Sequence, residues 1–301
     1  MNTKNLKTII CPSTHNALEL KITKKSGDEI IKGELINKET KVSYPIADGI
    51  ADLTFPFELK DTDKEFNNKY DANAANYDEG MDWLFKSFFE KEEEVRSKLI
   101  GLLKLKTSSK VLNIGCGSGS DSEYIIKKLG ANGKLFNLDL TGGLIRIAKK
   151  KLGVSSDKLE YIQGNGSYLP FADNSFDSVF HFGGINMFSE KKRAIMEMER
   201  VTKKRGIIVF GDESASPWLR RKKFGKIIRN ANPLYDHFPP IELLPTNAQN
   251  VSINYLLGNS FYAISFEKGE EACLNLDLII PGKRGGTLRS RYEAKLNNKK
   301  F

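Results

Sequence analysis

The sequence predicts an α/β fold with a doubly wound, mostly parallel sheet, and three observations carry that prediction. Val111, Leu112 and Ile114 form a short apolar run that reads as a buried parallel strand. Gly115, Gly117 and Gly119 follow at once, and a helical pattern starts after Ser120. Such glycines permit a tight turn, bring backbone N–H groups close to a ligand and place an anion at a helix N-terminus. A second apolar run, residues 134–139, ends on Asp139, where a carboxylate can accept hydrogen bonds from ribose hydroxyls. The rhythm then repeats. Residues 159–163 read as a third strand before Gly164 and Gly166, residues 178–182 as a fourth, and residues 207–210 as a fifth.

The elements between these strands follow from spacing. Tyr124, Ile125, Ile126 and Leu129 give the first helix an apolar face that Gly130 stops. Leu144, Ile145, Ile147, Ala148 and Leu152 do the same for the second helix, and Ala194, Ile195, Met198 and Val201 for the helix before the fifth strand. Residues 251–257 and 260–267 flank Gly258 and Asn259 and read as a hairpin. Upstream, residues 61–105 read as helices. Val95, Leu99, Leu102 and Leu103 make an apolar stripe, with Glu90, Glu92, Glu93 and Glu94 at its start complementing the helix dipole.

Four motifs now stand in order: VLNIGCGSG over residues 111–119, Leu138-Asp139, LPFADNSFD over residues 169–177, and RVTKKRG over residues 200–206. Together they resemble the class I S-adenosylmethionine-dependent methyltransferases, and within them the ubiquinone and menaquinone biosynthesis subgroup, across residues 66–266. The resemblance implies a Rossmann-like sheet of seven strands whose closing hairpin supplies the antiparallel last strand. It implies S-adenosylmethionine as cofactor and S-adenosylhomocysteine as product. Gly115, Cys116, Gly117 and Gly119 would cradle the methionine part, Asp139 would hold the ribose, and Leu140 and His181 are further cofactor contacts. Asn165 and Gly166 would face the adenine, with Asn113 at the end of the first strand. Asn113 and Asn165 stand where the family carries acids, so they bring no negative charge and weaker cofactor affinity is expected. Tyr70 and Tyr77, in a segment like the family's cofactor cap, are lid candidates, Tyr70 toward the acceptor and Tyr77 toward the cofactor.

Residues 1–56 read as a small β-rich unit: residues 18–22 alternate, Ser26, Gly27 and Asp28 read as a turn, and residues 30–36 as the return strand. Residues 44–53 resemble the end of the zinc-ribbon-like partner domains that assist some tRNA and protein methyltransferases. Those domains hold zinc with paired cysteines. Here Cys11 stands alone and residues 37–40 replace the second pair, so no metal is expected. The expected division is a ribbon-like unit (1–56), a helical lid or linker (57–106), a cofactor-binding core (107–267) and a basic arm (268–301).

Methyl transfer from a sulfonium chiefly needs an aligned acceptor and excluded water. A hydroxyl or amine acceptor also gains from a base, and the strand ends offer His181, Asp212 and Glu213, with His237 further out. Asn186 and Met187 could line the acceptor pocket. The chain's 301 residues carry a net charge of +9, concentrated in residues 220–229 (six bases, no acid) and 283–300 (seven bases, one acid). These are either solvated stretches or contact surfaces for phosphate. Arg284, Arg289 and Arg291 are the candidate contacts to an acidic acceptor, since an Arg fork suits a carboxylate or phosphate. No apolar run has the length of a bilayer span, residues 1–10 lack a secretory pattern, and three scattered cysteines form no disulfide framework. A cytoplasmic location is the expectation. Three functions stand in order: methylation of carbon or oxygen on a small molecule, RNA methylation, and a non-catalytic cofactor- or partner-binding module. Against RNA, residues 181–184 lack the Asn/Asp-Pro-Pro-aromatic signature of many amino-group nucleic-acid methylases.

Overall fold

The computed structural model describes residues 1–270, 274–282 and 285–297. They fall into two units, Met1–Gly269 and the described part of Glu270–Phe301. The first unit is built on one eleven-stranded sheet. Its centre is β5 (Lys110–Ile114), flanked by β6 (Lys134–Asp139) and β7 (Leu159–Gln163) on one side and β8 (Phe176–Phe182) and β9 (Thr202–Glu213) on the other. These five strands pair parallel. β11 (Phe261–Lys268) then pairs antiparallel with β9, and β10 (Ala248–Leu256) antiparallel with β11. Strands buried on both faces explain the unbroken apolar runs: Val111, Leu112, Leu135, Phe136, Val179 and Phe180 are all within 1% of full burial.

The sheet exceeds the expected seven strands because the N-terminal segment joins it. β1 (Leu18–Ser26), β2 (Glu29–Asn37), β3 (Ser43–Ala47) and β4 (Ile50–Asp52) form an antiparallel meander. β4 then pairs parallel with β7, Ala51 opposite Ile162, and the Leu53 N–H donates to the Gln163 carbonyl at 2.8 Å. Without β4, the outer edge of β7 would present unpaired backbone groups. Met1, Ile9, Leu35, Tyr44 and Leu53 pack in the same buried cluster as Phe136, Phe171 and Phe176, so the ribbon-like segment and the core share one interior.

Helices cover both faces. α1 (Asp61–Ala72), α2 (Tyr77–Ser87) and α3 (Glu92–Gly101) precede β5. α4 (Ser120–Lys128) and α5 (Gly142–Leu152) follow the first two core strands, and α6 (Lys191–Val201) leads into β9. The third helix stops at Gly101, short of the expected stripe's end, because Lys104 takes a left-handed conformation at φ 48°. Ile126 is 36% exposed, so it is not part of α4's core face, and that helix ends before Leu129. Residues 220–229 include α7 (Lys223–Ala231), where the sequence showed only charge. In the second unit, α8 (Leu288–Asn297) is the one helix among the described residues.

Candidate active site

The site lies where strand order reverses, at the carboxyl ends of β5 and β8. Their register sets Ile114 opposite His181. A Cβ on Gly115 would come within 3.2 Å of the His181 ring, so the loop passes directly over the imidazole. Gly115, Gly117 and Gly119 take φ of +62°, +53° and +90°, which L side chains rarely adopt. A Cβ on Gly117 would meet the Tyr77 ring at 3.3 Å. The loop is therefore tight because of its backbone and also because a lid ring lies on it.

Asp139 ends β6 and closes the loop from the other side. Its carboxylate accepts from the Gly117 N–H at 2.7 Å and the Thr141 N–H at 2.8 Å. Burial pushes its pKa above the ordinary carboxylate range, although the Thr141 and Gly117 amides pull it back. Next to it, Asn165 is engaged twice. Its carbonyl accepts from Ser167 N–H at 2.9 Å and its amide donates to the Asp63 carboxylate at 3.1 Å. Asp63, on α1, also accepts from the Ser189 N–H at 3.0 Å. The acid missing at Asn165 is thus replaced in space by one from the lid.

These residues line a cleft with Ile114, Gly115, Leu140, Gly166, His181 and Phe188 in its walls. A Cβ on Gly166 would come within 2.6 Å of Phe188, so the wall there admits no side chain. Tyr70 and Tyr77, edge to face at 6.0 Å, stand between it and a second, larger chamber. The two chambers share Tyr70, Tyr77, Gly115, Gly183, Gly184 and Met187. The second has an apolar wall of Met81, Leu84, Phe85, Phe182, Leu257 and Phe261 and a polar one with Lys69, Asn73, Asn76, Glu213 and the ion-paired Arg96 and Asp121 (2.6 Å). The lid is tied to the loop, where Ser118 donates to Asp78, and to α5, where the Gly143 N–H donates to Asp71 at 2.8 Å.

Two proton-handling groups differ in state. His181 Nδ1 lies 2.9 Å from the Ile114 carbonyl, which only accepts, so Nδ1 carries the proton. Nε2 is left a buried acceptor without a hydrogen-bond partner, and burial pushes the imidazole pKa down, keeping it neutral. Glu213 moves the opposite way: burial, then the adjacent Asp212 carboxylate, push its pKa well above the ordinary range. Asp212 is held by the N–H groups of Asn186 (2.6 Å) and Glu213 (2.9 Å). Burial also raises Tyr70 to about 12, and its hydroxyl points at Met187 Sδ, 3.7 Å away.

Several expected site residues sit elsewhere. Asn113 lies behind the loop, its amide donating to Ser122 at 2.9 Å in a buried network that continues to Asn137. Cys116 lines the second chamber, where burial pushes its thiol up. Asn186 lines neither cavity; its amide donates to the Glu213 carbonyl at 2.8 Å and its carbonyl accepts from Lys191 at 3.2 Å, so it braces the end of β9. In the second unit, the Arg289 fork is closed on Asp277 at 2.7 and 3.0 Å, and Arg291 donates to the Gly285 carbonyl at 2.9 Å. Arg284 lies outside the described residues. Asp63, Thr141 and Phe188 escaped the sequence reading. Only their placement by other elements brings them to the cavity, and no spacing signals it.

At the relic ribbon, Cys11 Sγ lies 3.2 Å from Ser13 Oγ and 3.4 Å from the Tyr44 hydroxyl. Among the described residues no group of three or more His, Cys, Asp or Glu is placed to hold a metal ion. Among them, too, no helix is long and apolar enough to cross a membrane.

The strand order, glycine loop and terminal Asp139 define a cofactor-binding α/β domain of the methyltransferase type. Residues 112–210 match the methyltransferase domain family and residues 4–49 the Trm112p-like family. The chain carries a class I S-adenosylmethionine-dependent methyltransferase domain with a Trm112-like N-terminal segment. It is similar to the demethylmenaquinone methyltransferases of Bacillus velezensis (29% identity over 122 residues) and Staphylococcus haemolyticus (31% over 121). Each alignment covers 40% of this chain, and 52% and 50% of the respective relative. The chain thus spans about half the length of the curated relatives it matches. In fold it resembles phosphoethanolamine N-methyltransferase 2 of Haemonchus contortus, solved with S-adenosyl-L-methionine. The TM-score is 0.52 at 12% identity, over 72% of this chain and 62% of that one.

Proposed function

We propose that this protein transfers a methyl group from S-adenosylmethionine to a small, largely apolar acceptor seated in the second chamber. The carrying observation is that this chamber adjoins the glycine-loop cavity, the two sharing Tyr70, Tyr77, Gly115, Gly183, Gly184 and Met187 as walls. The residues present fit the cofactor: three left-handed glycines, a buried carboxylate and a slot walled by Gly166 and Phe188. Asp139 would hold the ribose and Asp63 the adenine amino group, with the Gly115–Gly119 turn on the methionine part. When bound, S-adenosylmethionine supplies an electrophilic methyl on a sulfonium leaving group. The chain's own contribution is alignment and exclusion of water by the tyrosine lid.

Proton removal falls to Glu213, since Asp121, the other carboxylate of the acceptor chamber, is paired with Arg96. His181, in the cofactor chamber, serves as a neutral acceptor beneath the loop. Because burial and the adjacent Asp212 raise its pKa, Glu213 gains strength as a base as pH rises toward that raised value. The Trm112-like segment, continuous with the core through β4 and β7, would serve as a partner domain built into the same chain.

The test supplies deuteromethyl-labelled S-adenosylmethionine with an organic-soluble metabolite extract and, separately, with total RNA. The expected result is label in an organic-soluble compound, read by mass spectrometry. Label confined to RNA would make this an RNA methyltransferase. Cofactor binding without label in either would make it a binding module.

A further inference from the structure

The basic stretch of residues 220–229 takes no part in the site described above. In α7, Gly225 faces the protein, seated on the Leu219 carbonyl so closely that an added Cβ would lie 2.0 Å from the oxygen. The opposite face carries Phe224 and Ile227, 44% and 54% exposed and one turn apart, flanked by the exposed Lys223 and Lys226. Arg220 and Arg229 both pair with Asp236. Among the described residues, Arg221, Lys222, Lys223 and Lys226 make no ion pair.

The apolar face continues beyond the helix. Phe224 packs edge to face on Phe88 at 6.2 Å, and the next residue, Phe89, is 98% exposed. Trp218, 55% exposed, packs on Tyr255 at 5.1 Å. Both contacts converge on the tip between β10 and β11. There the Ser216 N–H donates to the Asn259 carbonyl at 3.0 Å, and a Cβ on Gly258 would touch Phe88 at 3.3 Å. Phe88 in turn packs on Phe261, a wall of the second chamber, at 6.2 Å.

We propose that this face docks on an anionic phospholipid surface, with Trp218, Phe224, Ile227 and Phe89 entering the headgroup boundary and the four unpaired cations meeting lipid phosphates. Exposed aromatic and aliphatic side chains cost free energy in water, and a ring of cations around them matches an interface that is apolar inside and anionic at its rim. RNA fits this face less well. Its phosphates would neutralise the cations and its bases would stack on the exposed rings, but the aliphatic Ile227 would stay in water. The inference rests on the surface alone and is independent of the methyl-transfer reading.

The experiment is co-sedimentation of the full chain with vesicles of phosphatidylcholine alone and of phosphatidylcholine mixed with phosphatidylglycerol, across a salt series. The expected result is binding to the anionic vesicles only, weakening with salt. Lys223→Ser with Lys226→Ser should lower partition by roughly fivefold per lysine. Ile227→Ser should lower it severalfold even at low salt. All three side chains are exposed, so the fold tolerates their loss. No binding of the parent chain to anionic vesicles at low salt would overturn the proposal. So would an Ile227→Ser variant that partitions like the parent, since charge alone would then account for the binding. RNA binding that both variants weaken, with vesicle binding unchanged, would do so too.

Discussion

The Asp63 carboxylate accepts a hydrogen bond from the Asn165 side-chain amide at 3.1 Å, joining α1 to the end of β7. A lid acid thereby stands where the chain itself offers only an amide. Asp63→Ala should weaken S-adenosylhomocysteine binding by about tenfold, the value of one charge-assisted hydrogen bond. It should weaken the inosine analogue, which lacks the amino group, far less. Equal loss for both ligands, by calorimetry, would remove Asp63 from the adenine subsite. Asn165→Asp should also fail to improve affinity near neutral pH, because two carboxylates would then face each other.

Gly117 is pinned twice, by a φ of +53° and by the Tyr77 ring. Gly117→Ala should cost about 1–2 kcal/mol of stability from the left-handed backbone. It should also lower cofactor affinity because the ring must shift. In a Tyr77→Ala background the stability cost should persist, since the backbone is unchanged. Thermal melts of the two single variants and the double variant check this.

Glu213 gives a signed pH effect. Its folded pKa is raised, so its favourable contribution is complete below the ordinary carboxylate value and is lost as pH rises through the folded one. Glu213→Gln should therefore match the parent near about pH 4 and exceed it in stability above neutrality. Its methyl-transfer rate should lose the rise with pH that the parent shows. Parallel pH–rate profiles for the two proteins would exclude Glu213 as the base.

Much of the architecture was legible because buried parallel strands are unbroken apolar runs, as in Val111–Leu112 and Leu135–Phe136, and because turns need glycine at fixed places. Asp139 and the glycine loop were legible for the same reason: they are contiguous with a strand end. The role of β4 was not, since a three-residue strand that pairs with β7 through Ala51 and Asp52 carries no periodicity that separates it from a loop. Asp63 was hidden by distance, 102 positions from Asn165. Asn186 misled because its position after β8 suited a pocket, whereas its side chain satisfies backbone at the end of β9.

Cys11 supplies a second pH effect. Burial raises its thiol, but hydrogen bonds from Ser13, Thr14, Tyr44 and Asn37 outweigh burial and bring it down to about 6. A depressed folded pKa means stability that is complete above the unfolded value of 9.0 and is lost as pH falls through about 6. The difference in melting temperature between the parent and Cys11→Ser should therefore grow from pH 6 to pH 9. A constant difference would show that the thiolate is not stabilised in this pocket.

The central claim is that S-adenosylmethionine is held by the loop and Asp139, and calorimetric titration with S-adenosylhomocysteine tests it most directly. The Gly117 and Thr141 amides meet different oxygens of the Asp139 carboxylate, so Asp139→Asn keeps an acceptor for only one of them while removing the charge, and it is compared with the parent after both are shown to melt cooperatively. The parent should bind one equivalent. The variant should lose roughly 1.5–3 kcal/mol, the worth of a hydrogen bond to a charged group. No heat of binding in the parent, or equal affinity in the two, would contradict the account.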